Sequence, residues 1–128
     1  MIEQFYIDKP EYIGTKTHPV TKTQCQAYKT KEGEELYFSM ATVHFETNPH
    51  RPLPNIGDRI YNNCNGLGWA IVKGYSRAGE WLGLMTEFVS PPAFYLKNVK
   101  EAQKRPNAPE WSKQGIGITF GLDIDFVR

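Results

Sequence analysis

Five side chains are the soft metal ligands and candidate nucleophilic partners of this chain: His18, Cys25, His44, His50 and Cys64. None form a Cys-x-x-Cys or His-x3-His pair, the spacings that bring two ligands to one ion, so no metal site and no cofactor are expected. Neither cysteine sits in a local catalytic signature, and no Gly-x-Ser-x-Gly turn is present, so no catalytic residue is assigned. A small enzyme with residues gathered from loops remains an alternative, with His44 or His50 beside Asp58 as its acid–base group. Asp123 and Asp125 share one face of an extended strand, about 7 Å apart, a spacing that suits a cation or a solvated outer face. Gly66-Leu67-Gly68 and Gly115-Ile116-Gly117 complete neither a dinucleotide nor a Walker pattern, and are read as turn and packing glycines.

Two groups of residues point to binding instead. Lys97, Lys100 and Lys104 fall at helical spacing with Arg105 beyond them, a stripe able to meet nucleic-acid phosphates with Tyr95 or Trp111 near enough to stack. The 7 Phe, 7 Tyr and 3 Trp make up 13% of the chain. Trp81, Met85, Trp111 and Tyr75 are the candidate protein-binding residues, of the types that anchor interfaces.

The elements that must position these groups follow from length and pattern. A chain of 128 residues, 40% apolar and 23% charged, is long enough for one domain with a core. Its 15 Lys and Arg against 14 Asp and Glu give +1, so no bulk attraction to nucleic acid is expected. No run approaches the roughly 20 apolar residues of a bilayer span, and Met1 to Asp8 has no basic, apolar leader. A cytoplasmic protein with no membrane partner and two reduced thiols is therefore expected, though spacing leaves a Cys25–Cys64 bridge open.

Met1–Asp8 reads as an edge strand, and residues 1–34 as a weakly packed N-terminal extension of the single domain 1–128, because Lys9 to Gly33 has few apolar anchors. Leu36–Glu46 favours a strand, with a helix as the alternative through Leu36, Met40 and Val43. Pro49, Pro52 and Pro54 stiffen the next connection. Asp58–Asn62 is a strand, Asn65-Gly66 a turn, Trp69–Tyr75 a strand, Ser76–Gly79 a four-residue loop, and Glu80–Phe88 a strand. Pairing Tyr75 with Glu80 puts Trp69, Ile71, Leu82 and Leu84 on the core face, and Ala70, Val72, Gly74, Trp81, Gly83 and Met85 on the other. A one-residue slip would exchange the faces. Ser90 caps a helix over about 91–104, its inner side Tyr95, Leu96, Val99 and Ala102. Ile116 to Phe126 alternate as one long strand over about 116–127. The fold class is α+β, mainly β: an antiparallel meander or a partly open small barrel with one helix.

Ile56-Gly57-Asp58-Arg59-Ile60, then Gly66-Leu67-Gly68-Trp69-Ala70-Ile71-Val72, then Gly83-Leu84-Met85 resemble the opening strands of SH3-like small barrels of the KOW and Tudor type. The resemblance covers about residues 56–88 and implies a binding module. The expected function is a small non-enzymatic protein that engages a protein partner through aromatic patches, of the kind that serves as an accessory or inhibitor protein of phages and plasmids. The alternative is a nucleic-acid binder using the Lys97, Lys100, Lys104 and Arg105 face. A homodimer is compatible with both.

Overall fold

Eight segments among the described residues meet in a single curled sheet. In the computed structural model the described residues are 2–38 and 53–124. The fold is α+β, mainly β and barrel-like. Its strands are β1 (Ile2–Tyr6), β2 (Glu11–Thr17), β3 (Gln24–Lys29), β4 (Glu35–Phe38), β5 (Arg59–Asn62), β6 (Gly68–Ala78), β7 (Trp81–Phe88) and β8 (Ile116–Phe120), with helices α1 (Ala93–Gln103) and α2 (Glu110–Lys113) between β7 and β8. They form one eight-stranded sheet in the order β1-β6-β7-β4-β3-β2.

The β6–β7 hairpin is the spine. β1 and β5 share the outer edge of β6, and β4 and β8 share that of β7. Its turn corrects the expected four-residue loop. β6 runs on to Ala78, which faces Trp81, and only Gly79 and Glu80 remain between the strands. Gly79 takes φ +61°, the demand that a two-residue turn makes at its first central position. Tyr75 therefore pairs with Leu84 rather than Glu80.

A β-bulge sits between Val72 and Gly74, which pair with Thr86 and Met85. The extra residue, Lys73, flips the inner and outer faces of β6 on its N-terminal side. Ala70, Val72 and Tyr75 thus all enter the core with Leu82, Leu84 and Phe88, and Trp69 and Ile71 leave it. That reverses the faces expected for residues 69–72.

Within residues 1–34, β3 departs from the expected weak packing. Cys25, Gln26, Ala27 and Tyr28 of β3 are buried, and Tyr28 packs in the main core with Leu36, Phe38 and Leu53. Of the two architectures read from the sequence, the partly open barrel is the one found, with Tyr37 of β4 meeting Trp81 of β7 in parallel. Glu35–Phe38 is strand, as one of the two readings of that stretch has it. The remainder, with Met40, Val43, Pro49 and Pro52, lies outside the described residues.

Two further expectations fail at element ends. The N-cap of α1 is Pro92, with no side-chain hydrogen bond, so Ser90 does not cap it. Tyr95, Val99 and Ala102 are half-buried, but Leu96 of the expected inner side is 49% exposed. Tyr95 anchors the helix. Its hydroxyl donates to the Gly115 carbonyl at 2.9 Å, and its ring closes on Gly117, where a Cβ would lie 2.7 Å from the Tyr95 hydroxyl.

The long final strand stops at Phe120. A 3-10 turn over Gly121–Asp123 follows, leaving Leu122 exposed and Ile124 buried. That turn closes half of the sheet into a ring. Ile124 bridges Asn62, and the Asn63 N–H donates to the Asp123 carbonyl at 2.8 Å. Inside the ring runs a buried polar chain. The Asn62 amide donates to the Thr119 hydroxyl at 2.9 Å, Thr119 and Thr86 hydroxyls meet at 3.0 Å, and Thr86 donates to the Gly117 carbonyl at 3.3 Å. A hydroxyl has one proton, so the Gly117 bond fixes the direction of every other bond in the row. Asn62→Leu should destabilise the fold by about 1–3 kcal/mol in urea titrations, since it strips an acceptor from the Cys64 N–H and a donor from Thr119.

A second, smaller core lies around Cys25, Ala27 and Tyr37, bordered by Ile13 and Trp81. The Tyr37 hydroxyl donates to Glu35, whose other oxygen pairs with Lys16 at 2.8 Å. The Lys16 and Tyr37 hydrogen bonds hold the Glu35 carboxyl below its ordinary value, and the Glu35 bond pushes the Tyr37 phenol up to about 12. The stabilisation by Glu35 is therefore present above its ordinary range and lost as acid titrates through its lowered value. That of Tyr37 is present below about pH 10, the unfolded phenol range, and lost between there and about 12. Melting temperature against pH should fall in both windows, and Tyr37→Phe should lessen the alkaline fall, the remainder coming from Tyr28, Tyr75 and Tyr95, whose phenols burial also raises.

Candidate functional site

The residues first singled out for binding are scattered by the fold. Tyr75 and Met85 are fully buried, and the Tyr75 hydroxyl donates to the Pro54 carbonyl at 2.6 Å. They are core residues, which corrects their expected place on an exposed patch. Trp81 is half-buried and stacks on His18 with ring centroids 4.2 Å apart and planes 13° apart. His18 in turn meets Tyr37 edge-on at 4.9 Å. Its Nδ1 accepts the backbone N–H groups of Val20 at 3.0 Å and Thr21 at 3.2 Å, so the ring's proton sits on Nε2, which is buried with no hydrogen-bond partner among the described residues. Trp81 is thus the lid of a structural histidine. Trp111 is half-buried on α2, away from the hairpin elements that carry the other three.

Lys97, Lys100, Lys104 and Arg105 are all exposed. The three lysines lie opposite the Tyr95, Val99 and Ala102 side of α1, flanked by Phe94 at 45% and Leu96 at 49% exposure. Among the described residues no three His, Cys, Asp or Glu side chains gather as a metal site. Both cysteines are free, and burial pushes the Cys25 thiol above its ordinary value. Asp58 accepts the Asn55 N–H at 2.8 Å. Its suggested partners His44 and His50, and Asp125 of the acidic pair, lie outside the described residues. Among those residues no helix is long and apolar enough to cross a membrane.

A different constellation emerges on the outer face of β5, β6 and β7. Tyr61 stands opposite Trp69, and the Val89 N–H donates to the Trp69 carbonyl at 2.9 Å, so Tyr61, Trp69 and Val89 form a row across three neighbouring backbones. The adjacent row is Arg59, Ile71 and Glu87. Trp69 is 40% and Val89 55% exposed. The Tyr61 ring meets Trp69 edge-on at 5.3 Å, and the Arg59 guanidinium lies 5.1 Å from the Trp69 centroid. The contacts from both sides hold the indole against the sheet with part of its surface in water.

Sequence reasoning missed this face because it placed Trp69 and Ile71 in the core. The alternation of Arg59 with Tyr61 and of Trp69 with Ile71 was a usable signal, but its direction depends on the bulge at Lys73. A variant keeping Trp69 as its one tryptophan should be quenched by acrylamide more strongly than one keeping Trp81. No family model, no curated protein and no solved structure matches the chain.

Proposed function

We propose that this chain is a non-catalytic binding protein that engages a protein partner through the outer face of β5, β6 and β7. The observation that carries the reading is the exposed Trp69 held between Tyr61 and Arg59. Trp, Tyr and Arg are the side chains that most often supply the energy of protein contacts. Here all three stand on a hydrogen-bonded sheet, so little conformational freedom remains to be lost on association. Affinity capture from lysate should retain proteins on the wild-type chain, with nuclease treatment making no difference. Trp69→Ala should release them, with affinity falling about 30-fold for a side chain worth about 2 kcal/mol. An unchanged set of captured proteins would remove this face from consideration.

A second reading, nucleic-acid binding, draws on α1, where Lys97, Lys100, Lys104 and Arg105 are exposed and Glu101 is the one acidic residue of the helix. Such binding falls steeply with salt. A gel-shift titration at low salt with single- and double-stranded DNA and RNA separates the two, and no shift at micromolar protein excludes this one.

A further inference from the structure

The charges around Trp69 are arranged in a way that selects among protein partners. Arg59 and Glu87 pair with Ile71 from opposite sides, one on β5 and one on β7. Neighbouring strands lie about 4.8 Å apart, so the backbones that carry a cationic and an anionic residue flank an apolar centre at equal distances, and the Arg59 side chain leans from there toward the Trp69 ring. The row beside it is uncharged: Tyr61, Trp69 and Val89. A face meant for a strongly acidic or basic partner would carry one sign of charge. This face carries both, one on each strand beside β6, with Ile116 of β8 next to Glu87.

We propose that the partner of this face is a second copy of the chain, packed face to face about a two-fold axis that runs along β6. The proposal rests on the reading of this face as a protein contact. A half-turn about that axis exchanges the two flanks and leaves the centre in place. Arg59 then faces Glu87 of the second copy, twice over. Ile71 and Trp69 each face their own counterparts, and Tyr61 faces Val89 of the second copy. Such a contact is isologous, one patch serving as both halves of the interface. The other in-plane two-fold, perpendicular to the strands, is worse. It sets Glu87 against Val89 and Arg59 against Tyr61, leaving both charges without a counterpart. The apolar row supplies the contact area, and the charge pairs select the orientation.

One residue opposes this packing and so makes it recognisable. Lys73, exposed at the bulge, follows Ile71 along β6 and lies close to the axis. The two copies of Lys73 approach each other, a like-charge contact that weakens the dimer.

Sedimentation equilibrium on the whole chain, from about ten to several hundred micromolar, provides the test, with circular dichroism confirming that each variant is folded. The wild type should show a concentration-dependent dimer. Arg59→Glu and Glu87→Arg should each weaken it by about tenfold, because a reversal sets like charges opposite each other at two places. The double reversal Arg59→Glu/Glu87→Arg should restore it to within a few-fold. Lys73→Ala should tighten it by about two- to threefold, the scale of an exposed charge pair. A wild type monomeric throughout, a dimer indifferent to the single reversals, or a double reversal as weak as the singles would each overturn the proposal. A monomer that still captures protein through Trp69 defeats self-association alone, whereas a monomer whose captured set ignores Trp69→Ala defeats the contact face as well.

Discussion

One residue too many in β6 governs much of the molecule. The strand is paired with β7 along its whole length, so the hydrogen-bond ladder must absorb Lys73 as a bulge. On the C-terminal side Tyr75 points inward. On the N-terminal side Val72 and Ala70 do. Without the bulge, strict alternation from Tyr75 would carry Lys73, Ile71 and Trp69 into the core and expel Val72 and Ala70. The interior would then hold a lysine and an indole where a valine and an alanine now fit. The bulge also marks where the outer neighbour of β6 changes, from β5 below it to β1 above it. A bulged strand bends and twists more sharply, and here the sheet curls.

The curl needs a closing contact, and the polar chain from Asn62 through Thr119 and Thr86 to Gly117 supplies one. It links β5 to β8 and β8 to β7 inside the ring. Three polar side chains in a core are tolerable only when their bonds are made, because a half-satisfied network is worse than an apolar one. The geometry meets that condition, with the Cys64 N–H completing the Asn62 carbonyl. Such a network also selects one register: sliding β8 by a residue would take Thr119 away from both partners. On the opposite side of the sheet, His18 does comparable work for a loop. Its ring binds two backbone N–H groups of residues 20 and 21 and is clamped between Trp81 and Tyr37. Trp81, the residue that composition marked as a recognition ring, is needed there to cover it.

Local chemistry was legible in the sequence, and long-range choice was not. Asn65-Gly66 turns as its residue types require, both at positive φ. The inner side of α1 reads correctly from Tyr95, Val99 and Ala102, because a helical stripe is a local property. Ile116, Ile118 and Phe120 alternate as read, yet their partners Glu87, Met85 and Gly83 put them on the face away from Leu84 and Thr119. Alternation shows that a strand has two faces and leaves open which is inside. The same ambiguity misplaced Trp69 and Ile71, whereas Met85 lies on the face expected of it and is buried there beside Ile118 of β8. At the C-terminal end the pattern continues through Leu122 and Ile124, but the turn at Gly121 shifts its phase, so one is exposed and the other buried. Polar β3 was unreadable because its burial comes from β2 and β4 packing alongside it, and its Tyr28 was a lone apolar anchor in a polar run.

The surface left by these choices is uneven in a telling way. Tyr28, Phe38, Tyr75 and Phe88 are given to one interior and Tyr37 to another, yet Trp69 stays in water although a neighbouring Arg and Tyr hold it still. A lone exposed ring needs no explanation. A ring ordered by two neighbours on a rigid sheet and extended by Val89 into a row is a different object, because its orientation is already fixed before any partner arrives. The overall charge of +1 bears on which partner that is. Two copies of a nearly neutral chain have little mutual repulsion at long range, so in the self-association we propose the local signs of Arg59, Glu87 and Lys73 would decide the fit. A strongly charged chain would let its net field override such details. In the proposed contact the short-range pattern of signs would govern the fit.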